Sequence, residues 1–294
     1  MKKVLTAGER VKLARSPLRP RAKEYIQGIF DDFTELSGDG LFGEDKSIVG
    51  GIGSYRGMPV TVIGQQKGRN VEENMEYRFG MPNPEGYRKA IRLMLQAEKF
   101  HRPVVTFVDT PGAYPGKEAE ERGQGQAIAK CIQVMSILKV PTVTFFIGEG
   151  GSGGALAIAT ADRRIMLENS IFSILSPEGF ASILWHDAER WEEAATAMKL
   201  TAEDLLTLGA CDAVILRISL TPPASGHRHE AAAAFRRNHA DRPNGFDSTP
   251  FECGYFVVTL RPRSSPRRSG GARVPQGGLG GPEQLSTASC RTSR

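Results

Sequence analysis

The hydrophobic pattern along the chain alternates between strands and helices. Pro103–Asp109 and Val140–Ile147 are apolar, rich in β-branched residues and bounded by proline, which is typical of buried strands. Tyr87–His101 and Glu118–Leu138 carry apolar side chains at helical spacing. The repeated order of strand, loop and helix predicts an α/β fold with right-handed crossovers. On the apolar side of the first helix we expect Ile91, Leu95 and Phe100.

Less regular patterns predict the elements at the two ends. Residues 1–36 show helical spacing before and after a basic, proline-containing turn, Arg15–Arg21, called the arginine turn below. The composition of this turn fits a solvated linker and a contact to a phosphate or a carboxylate equally well. A β-hairpin is predicted for Asp45–Gly53 and Met58–Gln65. Further along we expect helices at 154–162, 177–185, 189–198 and from Thr201, with strands at 165–167 and 170–176.

A run of glycines follows the second buried strand. Gly148–Gly154, the glycine segment, holds five glycines in seven positions and precedes a predicted helix. Glycine lets the backbone approach a ligand, and a helix N-terminus offers unpaired N–H groups. The order of strand, glycine loop and helix therefore predicts an anion site, although a tight packing turn is the alternative. Because no lysine follows the last glycine, a transient oxyanion fits better than a bound nucleotide phosphate.

A second unusual loop follows the first buried strand. Asp109–Gly116, the proline loop, contains two prolines and two glycines and also leads into a helix. Loops after parallel strands of one sheet meet at its carboxyl edge, where α/β folds place their sites. We therefore expect the two loops to lie together. A GTPase interpretation of Asp109–Gly112 fails because the chain has no P-loop.

Composition and charge set limits on the class of protein. A length of 294 residues suits one large or two small domains, and a hydrophobic content of 40% is that of a globular protein. No apolar run reaches the length of a membrane span and no signal peptide is evident, so a cytoplasmic protein is expected. Four widely spaced cysteines indicate neither a disulfide framework nor a zinc site, and we predict no metal in this chain.

The net charge of +5 is unevenly distributed. Residues 1–215 hold 26 basic and 28 acidic side chains, whereas residues 216–294 hold 12 arginines, no lysine and 5 acidic side chains. The basicity thus belongs to the end of the chain, and it gives no reason to assign nucleic-acid binding to residues 1–215.

Long motifs are spread over about residues 5–215. They include Asp45-Lys-Ser-Ile-Val-Gly-Gly, Gly64-Gln-Gln-Lys-Gly-Arg, Phe79-Gly-Met-Pro-Asn-Pro-Glu-Gly-Tyr-Arg-Lys-Ala, Asp109-Thr-Pro-Gly-Ala-Tyr-Pro-Gly, Glu120-Glu-Arg-Gly-Gln-Gly, Gly148-Glu-Gly-Gly-Ser-Gly-Gly-Ala-Leu-Ala and Ser176-Pro-Glu-Gly-Phe-Ala-Ser-Ile-Leu-Trp. So many motifs in the same order are specific. Together they resemble the α subunit of the bacterial acetyl-CoA carboxylase carboxyltransferase.

The resemblance implies an α/β fold of the crotonase-like (ClpP/crotonase) type, a ββα superhelix. It implies a transferase that moves a carboxyl group from carboxybiotin, held on the biotin carboxyl carrier protein, to acetyl-CoA and so forms malonyl-CoA for fatty acid biosynthesis. The implied partners are a zinc-containing β subunit in an α2β2 heterotetramer, the carrier protein and biotin carboxylase of the ATP-dependent complex. The α chain is expected to supply the biotin side of the site.

The resemblance also assigns residues. It places an oxyanion hole in the glycine segment and the residue after it, with the N–H groups of Gly154 and Ala155 favoured, and it gives as catalytic Gly150, Gly151, Gly153, Gly154 and Ala155. A biotin pocket is expected at Pro111, Gly112, Ala113 and Tyr114, for which a purely structural turn is the alternative. Lys67 and Arg69 are candidates for a phosphate contact or for surface ion pairs. Cys131 is expected in the core.

The predicted organisation has three parts. Residues 1–36 form a helical segment, residues 37–215 a crotonase-like carboxyltransferase domain, and residues 216–294 a tail. The family motifs stop near Ile215, and the tail is rich in arginine, proline, serine and glycine. We hypothesise that a frameshift produced this tail and that it is mostly disordered, which would make the chain an inactive copy if the missing part matters. A genuine basic tail that binds RNA or DNA is the alternative.

Other functions remain open from the residues. A coenzyme A hydratase or isomerase of the same fold would need a carboxylate base, and Glu149 is the acidic residue within the glycine segment. Another acyl-CoA carboxyltransferase of the crotonase type would share the motifs. A nucleic-acid-binding subunit would depend on the tail and bind in a salt-dependent manner.

Overall fold

The N-terminal residues form two helices that pack on a sheet. The computed structural model describes residues 4–215, 250–253 and 256–259. Helix α1 (Ala7–Arg15) begins with a capping box, in which Thr6 accepts a hydrogen bond from the Glu9 N–H and Glu9 accepts one from the Thr6 N–H. Helix α2 (Ala22–Ile29) follows the arginine turn. The helical prediction for residues 1–36 is wrong at its end, because strand β1 (Asp31–Glu35) pairs antiparallel with the first strand of the hairpin.

The core of the fold is a mixed sheet. Its further strands are β2 (Ile48–Tyr55), β3 (Met58–Gln65), β4 (Val104–Thr110), β5 (Thr142–Gly151), β6 (Arg163–Leu167), β7 (Ile171–Ser173) and β8 (Ala213–Ile215). Their order is β1-β2-β3-β4-β5-β6-β8, and β7 pairs with the end of β5. The first three strands are antiparallel, which confirms the predicted hairpin, and the pairs from β3 onward are parallel.

Helices cover both faces of this sheet. α2 covers one face and α4 and α6 the other. The helices after β1 are α3 (Val71–Glu76), α4 (Pro84–Lys99), α5 (Lys117–Glu121), α6 (Gln124–Ile137), α7 (Ser152–Leu156), α8 (Pro177–Trp185), α9 (Trp191–Ala197) and α10 (Ala202–Thr207), with 3-10 turns at Arg78–Gly80 and Ala188–Arg190. The single helix expected at 118–138 is two helices, because Gly123 adopts a left-handed φ of 81° between α5 and α6. The helix expected at 154–162 begins at Ser152 and ends at Leu156.

Two hydrophobic clusters lie on opposite sides of the central strands. Val105 and Phe107 join Ile26 and Phe30 on one side, while Val108 faces the cluster formed with α4 and α6. The rings of Phe107 and Phe145 stack with centroids 5.7 Å apart. The N-terminal helices therefore contribute to the main core, and the domain boundary at residue 36 stays a prediction.

The buried face of α4 differs from the predicted one. Leu95 and Phe100 are about half exposed, whereas Ala90, Leu93 and Met94 are buried. Lys89 is fully buried as well, and its ammonium group binds the Glu44 carboxylate and the Asp45 carbonyl oxygen. α4 lies between the β2–β3 hairpin and α6, so that packing and not the strongest apolar stripe selects its inner face.

Near the end of the chain the structure describes one short hairpin. Strands β9 (Pro250–Cys253) and β10 (Phe256–Thr259) pair antiparallel. The other residues of the predicted tail lie outside the described residues, so its frameshift and nucleic-acid interpretations both stay predictions. Within the described ranges, no helix combines the length and the apolar character needed to cross a bilayer.

Candidate active site

The glycine segment and the proline loop meet at one edge of the sheet, as predicted. β4 and β5 are parallel neighbours, and Thr110 pairs with Gly150. A Cβ atom on Gly151 would lie 2.0 Å from the Pro111 carbonyl oxygen, and one on Gly154 would lie 2.4 Å from the Ala113 nitrogen. The two backbones can approach so closely only because these positions are glycine.

The glycine segment is more extended than the sequence predicts. β5 continues through Gly151, where it pairs in parallel with β7, and the turn into α7 is confined to Ser152 with a left-handed φ of 51°. The predicted loop is therefore a strand end followed by a sharp turn. α7 has five residues, so its macrodipole contributes little, and the free N–H groups of its first turn matter more.

The position of each residue in α7 determines which N–H groups are free. In a helix whose first residue is Ser152, the N–H groups of Ser152, Gly153 and Gly154 have no partner within the helix, whereas Ala155 is the first residue to form a helical bond. Gly150, Gly151, Gly154 and Ala155 are buried, and Gly153 is half-buried. The amide of Gln65 donates a 2.8 Å hydrogen bond to the Gly154 carbonyl oxygen, which fixes the orientation of that peptide.

The proline loop is held by neighbouring backbone and stays accessible. Thr110 Oγ1 donates to the Gly80 carbonyl oxygen at 2.6 Å, and the Tyr114 N–H donates to the Pro82 carbonyl oxygen at 3.0 Å. Pro111 is exposed, and the three predicted pocket residues after it are half-buried, namely Gly112, Ala113 and Tyr114. The predicted biotin residues thus border the glycine segment on its open side.

A row of six charged side chains lies beside the glycine segment. Asp109 is 1% exposed, and its carboxylate binds Arg21 and Lys67 at 3.0 Å each and accepts the Glu149 N–H at 3.1 Å. Lys67 also binds Glu149 at 3.0 Å, and Arg15 binds the other Glu149 oxygen at 2.8 Å. Cations and anions alternate along this row, in the order Arg21, Asp109, Lys67, Glu149, Arg15 and Glu178.

A close ion pair between Arg15 and Glu178 forms one end of this row of charges. Arg15 Nη1 lies 2.6 Å from Glu178 Oε1. Burial alone lowers the pKa of Arg15, but the carboxylates of Glu178 and Glu149 outweigh it and raise that pKa above its ordinary value. Burial likewise tends to raise the pKa of Glu178, but the hydrogen bond from Arg15 lowers it. Both groups therefore stay charged near neutral pH.

Several roles that the sequence left open are decided by these contacts. The arginine turn contacts carboxylates, since Arg15 and Arg21 bind Glu149 and Asp109. Lys67 is buried between two carboxylates, and Arg69 forms an exposed ion pair with Glu24 at 2.5 Å. The sequence patterns gave no indication that Asp109 is the centre of this row of charged side chains. A usable signal was present, because an aspartate that ends a buried strand needs a cationic partner.

Glu149 is not available as a general base. Its Oε1 accepts from Arg15 and its Oε2 from Lys67, so both carboxylate oxygens are held by cations.

Ser152, at the turn, makes no side-chain hydrogen bond to the described residues. Cys131 is buried as predicted, and burial raises its pKa to about 12. Among the residues that the structure describes, no cluster of histidine, cysteine and acidic side chains could hold a metal ion.

The mixed sheet and a site built from backbone at the ends of two parallel strands define an α/β protein of the crotonase-like class. Transcarboxylase 12S, solved with hydrolysed methylmalonyl-coenzyme A bound, superposes with a TM-score of 0.59 over 83% of this chain and 47% of that one. At 21% identity this likeness supports the fold. The chain belongs to the acetyl co-enzyme A carboxylase carboxyltransferase-like family, whose model matches residues 1–240.

Curated relatives agree with this family. The chain is 56% identical over 248 residues to the acetyl-coenzyme A carboxylase carboxyl transferase subunit alpha of Clostridium acetobutylicum, covering 83% of this chain and 89% of the relative. It is 60% identical over 213 residues to the subunits beta/alpha protein of Natranaerobius thermophilus, covering 72% of this chain and 35% of that longer protein. The predicted family and the crotonase-like fold are thus confirmed.

Proposed function

We propose that this chain is the α subunit of the carboxyltransferase of an acetyl-CoA carboxylase. It transfers a carboxyl group from carboxybiotin, carried by the biotin carboxyl carrier protein, to acetyl-CoA and gives malonyl-CoA for fatty acid biosynthesis. The observation that carries the proposal is the approach of Gly151 and Gly154 to the proline loop, which brings unpaired backbone N–H groups to an accessible edge of the sheet. Family membership supports the same assignment.

The chemistry asks for hydrogen-bond donors and not for a side-chain base. The transfer develops negative charge on the ureido oxygen of biotin and on the thioester oxygen of acetyl-CoA. Fixed backbone N–H groups stabilise such charge, and losing one donor typically costs about 10²–10³ in rate. Gly153 and Gly154 are the proposed donors of this chain, because Ala155 is committed to the helix. Pro111–Tyr114 line the biotin side.

The function requires partners. We propose a zinc-containing β subunit that supplies the coenzyme A side, in an α2β2 assembly, with biotin carboxylase charging the carrier. The relative whose name joins beta and alpha in one chain supports the β partner. A cytoplasmic location is part of the same proposal.

A hydratase or isomerase is the weaker candidate. Those reactions need a carboxylate that accepts or gives a proton, and the carboxylate of Glu149 is bound on both oxygens. Carboxyl transfer to an acyl-CoA other than acetyl-CoA is a further candidate. An assay in which acetyl-CoA competes with other acyl-CoA substrates distinguishes it from the main proposal. The nucleic-acid interpretation depends on the tail beyond residue 215.

The test is reconstitution with a β subunit from the same genome. Malonyl-CoA formation from acetyl-CoA and carboxylated carrier is measured with the full chain, with a chain ending at Ile215, and with β alone. We expect activity in the full chain mixed with β and none with β alone. No activity with a β that works beside an intact α subunit of a relative would contradict the proposal. Activity in the shorter chain as well would limit the required part to residues 1–215.

A further inference from the structure

Two arginines of the arginine turn, Arg15 and Arg19, contact the strand that carries the glycine segment, and Arg21 reaches it through Asp109. Arg19 donates from Nε to the Ile147 carbonyl oxygen at 3.0 Å, and Ile147 directly precedes Gly148. Arg21 binds Asp109, whose other oxygen accepts the Glu149 N–H. The turn therefore contacts the backbone just before and just inside the segment, directly through Arg19 and by way of Asp109.

These contacts are shielded from water. Arg19 and Arg21 are each 4% exposed, and the Arg19 guanidinium also donates from Nη1 to the Asn169 carbonyl oxygen at 3.2 Å. One planar side chain thus connects β5 with the turn that leads into β7, the strand that pairs with Glu149–Gly151. Charge-assisted bonds of this kind are strong and depend on the fork geometry of the guanidinium.

We infer that the arginine turn positions the glycine segment, with Arg19 and Arg21 as its positioning residues. They hold its strand at the register in which Gly153 and Gly154 present their N–H groups. This inference rests on the proposed carboxyl transfer for its effect on rate, but the ordering of the segment can be measured separately.

The experiment compares three lysine substitutions in the full chain. Arg19→Lys and Arg21→Lys keep the charge but lose the fork. Arg102→Lys is the matched control, because Arg102 is also buried and donates to Thr61 Oγ1 at 3.1 Å beside the start of β4, away from the glycine segment and from the turn into β7. Each variant is mixed with the β subunit for kcat and KM, and alone for amide hydrogen exchange of residues 149–155.

We expect Arg19→Lys to lower kcat by about 10- to 100-fold, because small misplacements of catalytic groups cost rates of that order. The KM for acetyl-CoA should stay within about 2-fold of the wild-type value, because the substitution leaves the contacts that bind the substrate in its ground state unchanged. Exchange of the segment should become faster, while Arg102→Lys changes neither kcat nor this exchange. Equal kcat losses in Arg102→Lys and Arg19→Lys at equal Tm, or unchanged exchange in Arg19→Lys, would overturn the inference.

If the buried lysine variants do not fold, Arg15→Lys gives the same comparison at a half-buried side chain that binds Glu149. Exchange and kcat that match the wild type there would count against the inference. If the wild-type chain makes no malonyl-CoA with a competent β subunit, the proposed function fails, and the exchange comparison still decides whether the arginine turn orders the segment.

Discussion

The carboxylate of Asp109 fills the space that a side chain at Gly148 would need. A Cβ atom built on Gly148 would lie 2.4 Å from Asp109 Oδ1. The carboxylate cannot withdraw, because Arg21 and Lys67 hold it from two directions. The glycine at the start of the segment and the buried charge beside it are therefore one packing unit.

Gly148→Ala should destabilise the protein by about 1–3 kcal/mol, the usual cost of adding a methyl group to a filled interior. Urea unfolding measures the difference. Gly125→Ala in α6 is the control, because a Cβ there meets nothing within 4 Å and alanine favours a helix. Equal stability of the two variants would contradict the packing argument.

Asp109→Asn should be more damaging than its change of shape suggests. It leaves Arg21 and Lys67 buried with one carboxylate fewer, and breaking a buried ion pair costs about 3–5 kcal/mol. Thermal unfolding of the variant beside the wild type tests this. A double variant that removes Lys67 as well, Asp109→Asn with Lys67→Met, should recover part of the loss, since it restores the charge balance. Strict additivity of the two losses would argue against coupling.

The pH dependence of stability should report on Asp39. Burial tends to raise its pKa, but N–H groups of the 41–43 backbone and the Arg88 guanidinium lower it from an ordinary 3.8 to about 2. Because the folded pKa is the lower one, this stabilisation is complete above pH ~4 and is lost as the pH falls towards 2. Urea midpoints from pH 6 to pH 2 should fall less steeply for Asp39→Asn than for the wild type over that window.

Ser152→Gly should keep activity and gain about 1 kcal/mol of stability, because Ser152 has a left-handed φ of 51° that glycine adopts without strain. Ser152→Ala should keep activity as well. Loss of malonyl-CoA formation in both variants would mean that the hydroxyl takes part in the reaction. The measurement is kcat with the β subunit beside chemical unfolding.

Tyr87→Phe should leave stability within about 1 kcal/mol of the wild type. The Tyr87 hydroxyl is fully buried without a hydrogen-bond partner in the described part of the chain, and burial raises its pKa. A buried polar atom without a partner destabilises the folded state by its desolvation free energy, and the phenylalanine variant removes this penalty. A loss of several kcal/mol would instead mean that an ordered water satisfies the hydroxyl.

Sequence patterns predicted the strands and the meeting of the two loops because those depend on local periodicity and on the order of strand, loop and helix. They failed where partners are distant. Arg21 and Asp109 are 88 positions apart, and Arg15 and Glu149 are 134 apart. Nothing local in either sequence neighbourhood specifies which cation meets which carboxylate. The inner face of α4 was missed for the same reason, since tertiary packing buries Lys89 and leaves Phe100 exposed.

Arg19 has a consequence for the order of events during synthesis. The carbonyl groups that it binds belong to residues 128 and 150 positions later in the chain. The arginine turn therefore leaves the ribosome long before either acceptor exists, and until then the Arg19 guanidinium remains hydrated. N-terminal parts of a chain generally fold first, but this site can be completed only after β7 has emerged. A nascent chain stalled before that strand would carry the turn and the proline loop without a competent site.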